Sequence, residues 1–113
     1  MALPLNVFRT VTKIASTNPV GIYTAPVGYT GVVLLAQCAN ISNQTYTISF
    51  SHQRTTAGVA VTTEILKDFA LQGNDSVSLL TGKLTLEQND VLVLSASNGS
   101  NIKFIASVLE TLN

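Results

Sequence analysis

Between Tyr46 and Ser51 the chain alternates without a break: Tyr46, Ile48 and Phe50 take turns with Thr47, Ser49 and Ser51, with Thr45 in step before them. A period of two is the signature of an extended strand, because successive side chains leave opposite faces of the backbone. A helix would need its apolar residues three and four apart. Gln44 to His52 is therefore read as a strand with one large apolar face for a core and one hydroxyl face turned outward.

The rest of the chain is cut to the same measure. Short runs rich in Val, Ile, Leu and Thr are separated by turn residues at intervals of roughly 8–12, the pattern of a sandwich or barrel. Strands are expected at Val7 to Ile14, Val20 to Thr24, Val59 to Phe69, Val77 to Leu80, Lys83 to Leu86, Val91 to Ser97 and Ile102 to Leu109. Val32 to Ala39 is nearly continuous in apolar residues and predicts a central strand covered on both faces. Only Ile65 to Phe69 is also compatible with a helical turn. The expectation is one all-β domain over residues 1–113. It is an antiparallel β-sandwich of eight to nine strands, jelly-roll or immunoglobulin-like, with Tyr46, Ile48, Phe50, Leu92, Leu94, Phe104 and Ala106 facing the core.

Turn chemistry supports the strand boundaries. In Ala25-Pro26-Val27-Gly28-Tyr29 the proline presets its own φ and the glycine is free to take a positive one. Leu71 to Leu79 and Leu86 to Leu94 echo each other, each with an Asn-Asp pair ahead of a strand. Asn and Asp satisfy turn backbone groups with their own side chains and tolerate left-handed geometry, so the same chemistry reverses the chain twice.

Charge is scarce. Asp, Glu, Lys and Arg make up 11% of the chain, against about 25% in ordinary domains. The six basic and six acidic side chains cancel, and no basic run or aromatic interleaving is present. Nothing here recruits a phosphate backbone or an anionic membrane, so neither nucleic acid nor membrane is expected as a partner. The longest apolar run, Val32 to Ala36, is far short of the roughly 20 residues of a membrane-crossing helix. The amino-terminal residues lack the basic and apolar regions of a secretory signal, so the chain is expected to be made in a cytoplasm without one. Asn40, Asn43, Asn74 and Asn98 each begin an Asn-x-Ser/Thr triplet, which an Asn- and Ser-rich loop protein produces by chance.

Candidates for chemistry are few. His52 is the single histidine, expected at a sheet edge, and Cys38 the single cysteine, expected as a buried apolar residue. A triad of His52 with Asp68 or Asp75 lacks any nucleophile motif, and two nitrogen or sulfur ligands do not close a zinc site. Asn74-Asp75 and Asn89-Asp90 lack the dense acidic spacing of a calcium loop, and Glu64, Glu87 and Asp68 show no pairing that suggests glycoside hydrolysis. The expectation is a protein that is not an enzyme and carries no cofactor or metal. Tyr23 and Tyr29 flank the Pro-Gly turn, where they are expected to pack across strand ends with their hydroxyls in water.

Two stretches carry a family resemblance. Ile22 to Gln37, continuing through Asn40-Ile41-Ser42-Asn43 into the alternating strand, and Leu84 to Val93, followed by Ile102 to Leu109, resemble small β-sandwich virion proteins of tailed bacteriophages, particularly those of marine cyanobacteria. The resemblance covers most of the chain and implies assembly and surface coverage, with no catalytic residues to carry over. Such proteins serve as capsid decoration subunits, neck or tail components, or fibre modules. A free-standing decoration or cement subunit is the expected role, in the virion, with copies of itself and other virion proteins such as the major capsid protein as partners. A tail- or fibre-associated receptor module that holds sugar on Tyr23 and Tyr29 is the alternative. The interface is expected on Leu3, Leu5, Val7 and Phe8 as an apolar arm, on Tyr23 and Tyr29, and on the hydroxyl face of Thr45, Thr47, Ser49 and Ser51.

Overall fold

The computed structural model describes residues 5–113. Nine strands form two antiparallel sheets, and the described residues contain no helix. In chain order the strands are β1 (Asn6–Ile14), β2 (Val20–Thr24), β3 (Tyr29–Asn40), β4 (Tyr46–Thr56), β5 (Val59–Leu71), β6 (Ser76–Ser78), β7 (Leu84–Leu86), β8 (Val91–Ala96) and β9 (Ile102–Leu112). The first sheet runs β1-β9-β3-β6 with β7 also on β3; the second runs β2-β8-β4-β5.

β6 pairs with Gln37 to Ala39 and β7 with Gly31 to Val33, so the two short strands lie end to end beside β3 as one interrupted strand. Each sheet then has four strand positions. Apart from the β4–β5 hairpin and the β6–β7 link, every connection crosses from one sheet to the other. This is the double-Greek-key jelly roll and not the immunoglobulin arrangement. We refer to the sheets as the β9 sheet and the β8 sheet.

The alternation read from the sequence sets the inner layer. Ile48 and Phe50 on β4 lie opposite Ala96 and Leu94 on β8, while Phe104, Ala106 and Val108 of β9 close the core from the other sheet. The Phe50 and Phe104 rings meet with centroids 5.8 Å apart. Leu92 is fully buried and Tyr46 packs on the rim of this core. Cys38 is buried within it, and that burial pushes its thiol up to about 12.

Three local expectations are corrected. Ile65 to Phe69 forms no helical turn: β5 runs through it, with register shifts opposite Ile48 to Ser51 and with Asp68 at φ 51°. The Asp68 amide donates to the Ser49 hydroxyl at 3.0 Å, so a side chain stands in for the missing ladder bond. His52 sits within β4, an interior strand, and faces inward opposite Leu92. β3 is central, but a bulge between Val33 and Leu35 leaves Leu34 and Leu35 on an uncovered outer face. The turn chemistry is as expected: Gly28 has φ 86°, and Asn74 and Asn89 have φ 59° and 68°.

Candidate functional site: two buried carboxylates and an uncovered sheet face

The β7–β8 turn lowers Asp90 into the end of the sandwich, where it is 1% exposed. Arg54, near the end of β4, grips it with both prongs, Nε to Oδ1 at 2.9 Å and Nη2 to Oδ2 at 2.6 Å. His52 Nε2 lies 3.0 Å from Oδ2, and the Glu87 amide donates to the same oxygen at 2.9 Å. The Arg54 guanidinium first, and then the His52 and Glu87 contacts, hold the Asp90 carboxyl well below the usual carboxylate range against the opposing cost of burial. Glu87 adds an outer partner to Arg54 at 3.0 Å.

A second carboxylate, Glu110 on β9, is 3% exposed and bridges the two sheets. Arg9 on β1 donates Nε to Oε1 at 2.7 Å, and the Tyr23 hydroxyl on β2 donates to Oε2 at 2.5 Å. Burial, helped by this bond, pushes the Tyr23 phenol well above its ordinary range. The Tyr23 hydroxyl therefore reaches Glu110 and not water, contrary to the sequence expectation. Tyr29 is half-buried, so the two rings make no open aromatic platform.

Both clusters fasten parts of the fold. The acid that meets His52 is Asp90, rather than Asp68 or Asp75, and its oxygens are already taken by Arg54 and a backbone amide. Among the described residues, no three His, Cys, Asp or Glu come together as a metal site would require. No helix long and apolar enough to cross a membrane is present among the described residues. Asn40, the first of the triplet asparagines, is buried and donates Nδ2 to the Gln44 and Leu71 carbonyls at 2.7 and 3.0 Å, so it serves as an internal pin between loops.

The predicted interface residues fall on different surfaces. Leu3 lies outside the described residues. Leu5 is exposed beside the end of β9, whose Leu112 amide donates to the Leu5 carbonyl. Val7 turns inward and is half-buried, while Phe8 points out of the β9 sheet with 75% exposure. Thr47, Ser49 and Ser51 share the outer face of the β8 sheet, and Thr45 lies in the loop before β4. The outer face of the β9 sheet also exposes Ile14, Leu35 and Ile105 in the same layer as Phe8, three residues that the sequence reading did not place at an interface. Its one signal in the sequence was the continuous apolar run of β3.

No family model matches the chain, and no curated protein matches it by sequence. Solved structures do match in fold. A chain of the infectious bursal disease virus particle superposes with a TM-score of 0.58 at 9% identity, over 97% of this chain and 32% of that one. The VP2 protein of the same virus, in T=1 particles, gives 0.52 at 12% identity, over 96% and 32%. A chain of the capsid structure of Helicobacter pylori bacteriophage KHP30 gives 0.56 at 14% identity, over 96% of this chain and 89% of that one. The present chain thus spans about a third of the length of the bursal disease virus chains and most of the phage chain. At these identities the likeness is one of fold: a jelly-roll domain of the kind present in those viral particles.

Proposed function

We propose that this chain is a non-enzymatic structural subunit of a bacteriophage virion, of the capsid decoration or cement type. Its partners are copies of itself and other virion proteins, the major capsid protein first among them. The observation that carries this reading is the KHP30 match: a phage capsid structure contains a chain of this fold and nearly this length, covered 96% against 89%. The local chemistry agrees, because both buried carboxylates are held in arginine pairs that brace the sandwich. The sequence resemblance to virion proteins of tailed phages, cyanophages in particular, points to the same role. The tail or fibre receptor reading is less well supported, since Tyr23 is engaged with Glu110.

Quantitative mass spectrometry of purified virions tests the proposal. A decoration subunit is expected in hundreds of copies, on the order of one per major capsid protein, as a closed symmetric shell requires. A count in the tens, with glycan binding that Tyr29→Ala abolishes, would establish the tail or fibre role instead.

A further inference from the structure

β1 and β2 are edge strands of the two sheets, and the Arg9, Glu110 and Tyr23 cluster ties them together at one end. Toward the other end the sheets part. Lys13 lies opposite Phe104 and Val20 opposite Leu94, and cross-strand partners share a face, so the register turns all of them toward the inside of the sandwich. Phe104 and Leu94 are buried there. Val20 is nevertheless 40% exposed and Lys13 is exposed, because β1 and β2 do not pair and no strand bridges them. An inward-facing valine that still meets water marks a core with an open side.

The gap is a cavity of about 770 Å³ with Ala15, Val20, Ile22, Leu94 and Phe104 in its walls. Pockets that take small organic ligands span about 300–1,000 Å³, are mostly apolar and carry a few polar groups that fix orientation. Here the polar groups include two cations, Lys13 and Lys103, and no Asp or Glu lines the cavity. Neither lysine has an acidic partner among the described residues. Glu110, the acid that β1 does reach, is neutralised by Arg9, four residues and roughly 13 Å along the strand from Lys13. An apolar cleft with an unanswered cation complements an apolar chain that ends in an anion.

We infer that the cleft between β1 and β2 binds a free fatty carboxylate, its chain against Val20, Ile22, Leu94 and Phe104 and its head on the Lys13 ammonium. Lys13 is the one cation of the lining that the register turns inward, since Lys103 lies on the opposite face beside Ile14. One inward cation matches a monoanionic carboxylate better than a phosphate head, which carries about two charges. Occupied, the cleft joins β1 to β2 where the Arg9 cluster does not reach, so binding stabilises the sandwich. The inference goes beyond the virion reading and stands independently of it.

Isothermal titration calorimetry of the purified full chain with octanoate, decanoate and dodecanoate, each below its micelle concentration, tests it. Far-UV circular dichroism confirms that each variant is folded. Dodecanoate is expected to bind one per chain and to raise the melting temperature, with affinity climbing by up to about fourfold per added methylene. Lys13→Glu is expected to weaken dodecanoate binding at least about tenfold, the scale of a lost charged hydrogen bond, and to leave dodecanol binding unchanged. Val20→Phe fills the cleft and is expected to block both. A wild type that binds no dodecanoate overturns the inference, as does binding that survives unchanged in a folded Lys13→Glu or Val20→Phe chain. Flotation with phosphatidylglycerol vesicles in the absence of dodecanoate binding overturns it too, in favour of a membrane lipid. None of these results bears on the virion role, which the copy number decides separately.

Discussion

Asp90 is the residue on which most of one end of the sandwich converges. Arg54, His52 and the Glu87 amide all meet its two oxygens, so Asp90→Ala leaves a guanidinium and a backbone donor facing an empty site. A loss of about 3 kcal/mol is expected, at the lower end for breaking a buried pair because Arg54 retains solvent access. Because the folded carboxyl titrates below its unfolded value of about 3.9, its contribution is present above that pH and lost as pH falls below it. Urea unfolding of the wild type should weaken below about pH 4, and in Asp90→Ala that acid limb should flatten. Tyr23 works in the opposite sense. Its phenol titrates above the ordinary value of about 10, so its contribution holds below that pH and is lost as pH rises past it. Tyr23→Phe should cost about 2 kcal/mol at neutral pH, the scale of a hydrogen bond to a charged group, and flatten the alkaline limb. Residues differ in how far the sequence discloses them. The left-handed Asn74 and Asn89 were legible because turn chemistry is decided within a few residues. Arg54 lies 36 residues from Asp90 and Arg9 lies 101 from Glu110, so neither pairing exists until the strand register creates it.

At the scale of elements, period-two patterning located the strands because burial of one face imposes it directly. β2 came out with its ends in place, and β4 was found from its Tyr46, Ile48 and Phe50 face. The sheet to which each strand belongs was not legible, since nearly every connection crosses the sandwich and alternation reads the same in either sheet. β5 misled for a different reason. Its two register shifts break the alternation between Glu64 and Phe69, and a bulged strand locally resembles a turn. The loops contain a tighter constraint than their composition suggests. A Cβ added at Gly73, in the β5–β6 turn, would lie 2.6 Å from the Asn43 carbonyl carbon and 2.8 Å from its Cα. Backbone cannot yield as a flexible side chain would, so Gly73→Ala should force the β3–β4 and β5–β6 turns apart. A cost of about 1–3 kcal/mol is expected, as for other overpacked sites, together with faster amide exchange from Ile41 to Gln44 and a far-UV spectrum that stays all-β.

For the whole molecule, the decisive pairing is between its first and last strands. β1 pairs with β9 along its full length, from Asn6 opposite Thr111 to Ile14 opposite Lys103, and the Leu112 amide donates to the Leu5 carbonyl at 2.8 Å. The two ends of the described chain therefore lie side by side, while the β4–β5 hairpin turns at Ala57 and Gly58, both exposed and both at positive φ. A cut at that turn severs no ladder between sheets, since β4 keeps β8 and β5 keeps its pairing to β4. A circular permutant that joins Asn113 to Met1 through a short Gly-Ser linker and begins at Gly58 is therefore expected to fold. It should lose no more than about 2 kcal/mol, mainly from the opened hairpin, and retain cooperative thermal unfolding. Removing residues 1–14 from the linear chain is a different operation. β9 then becomes an edge strand along its whole length, the Arg9 partner of buried Glu110 is gone, and the core beneath Val11 opens to water. That truncated chain is expected to be insoluble or unfolded while the permutant, which keeps β1 and every core residue, is folded. Soluble yield and melting curves of the two, side by side, separate strand closure from chain order as the source of stability.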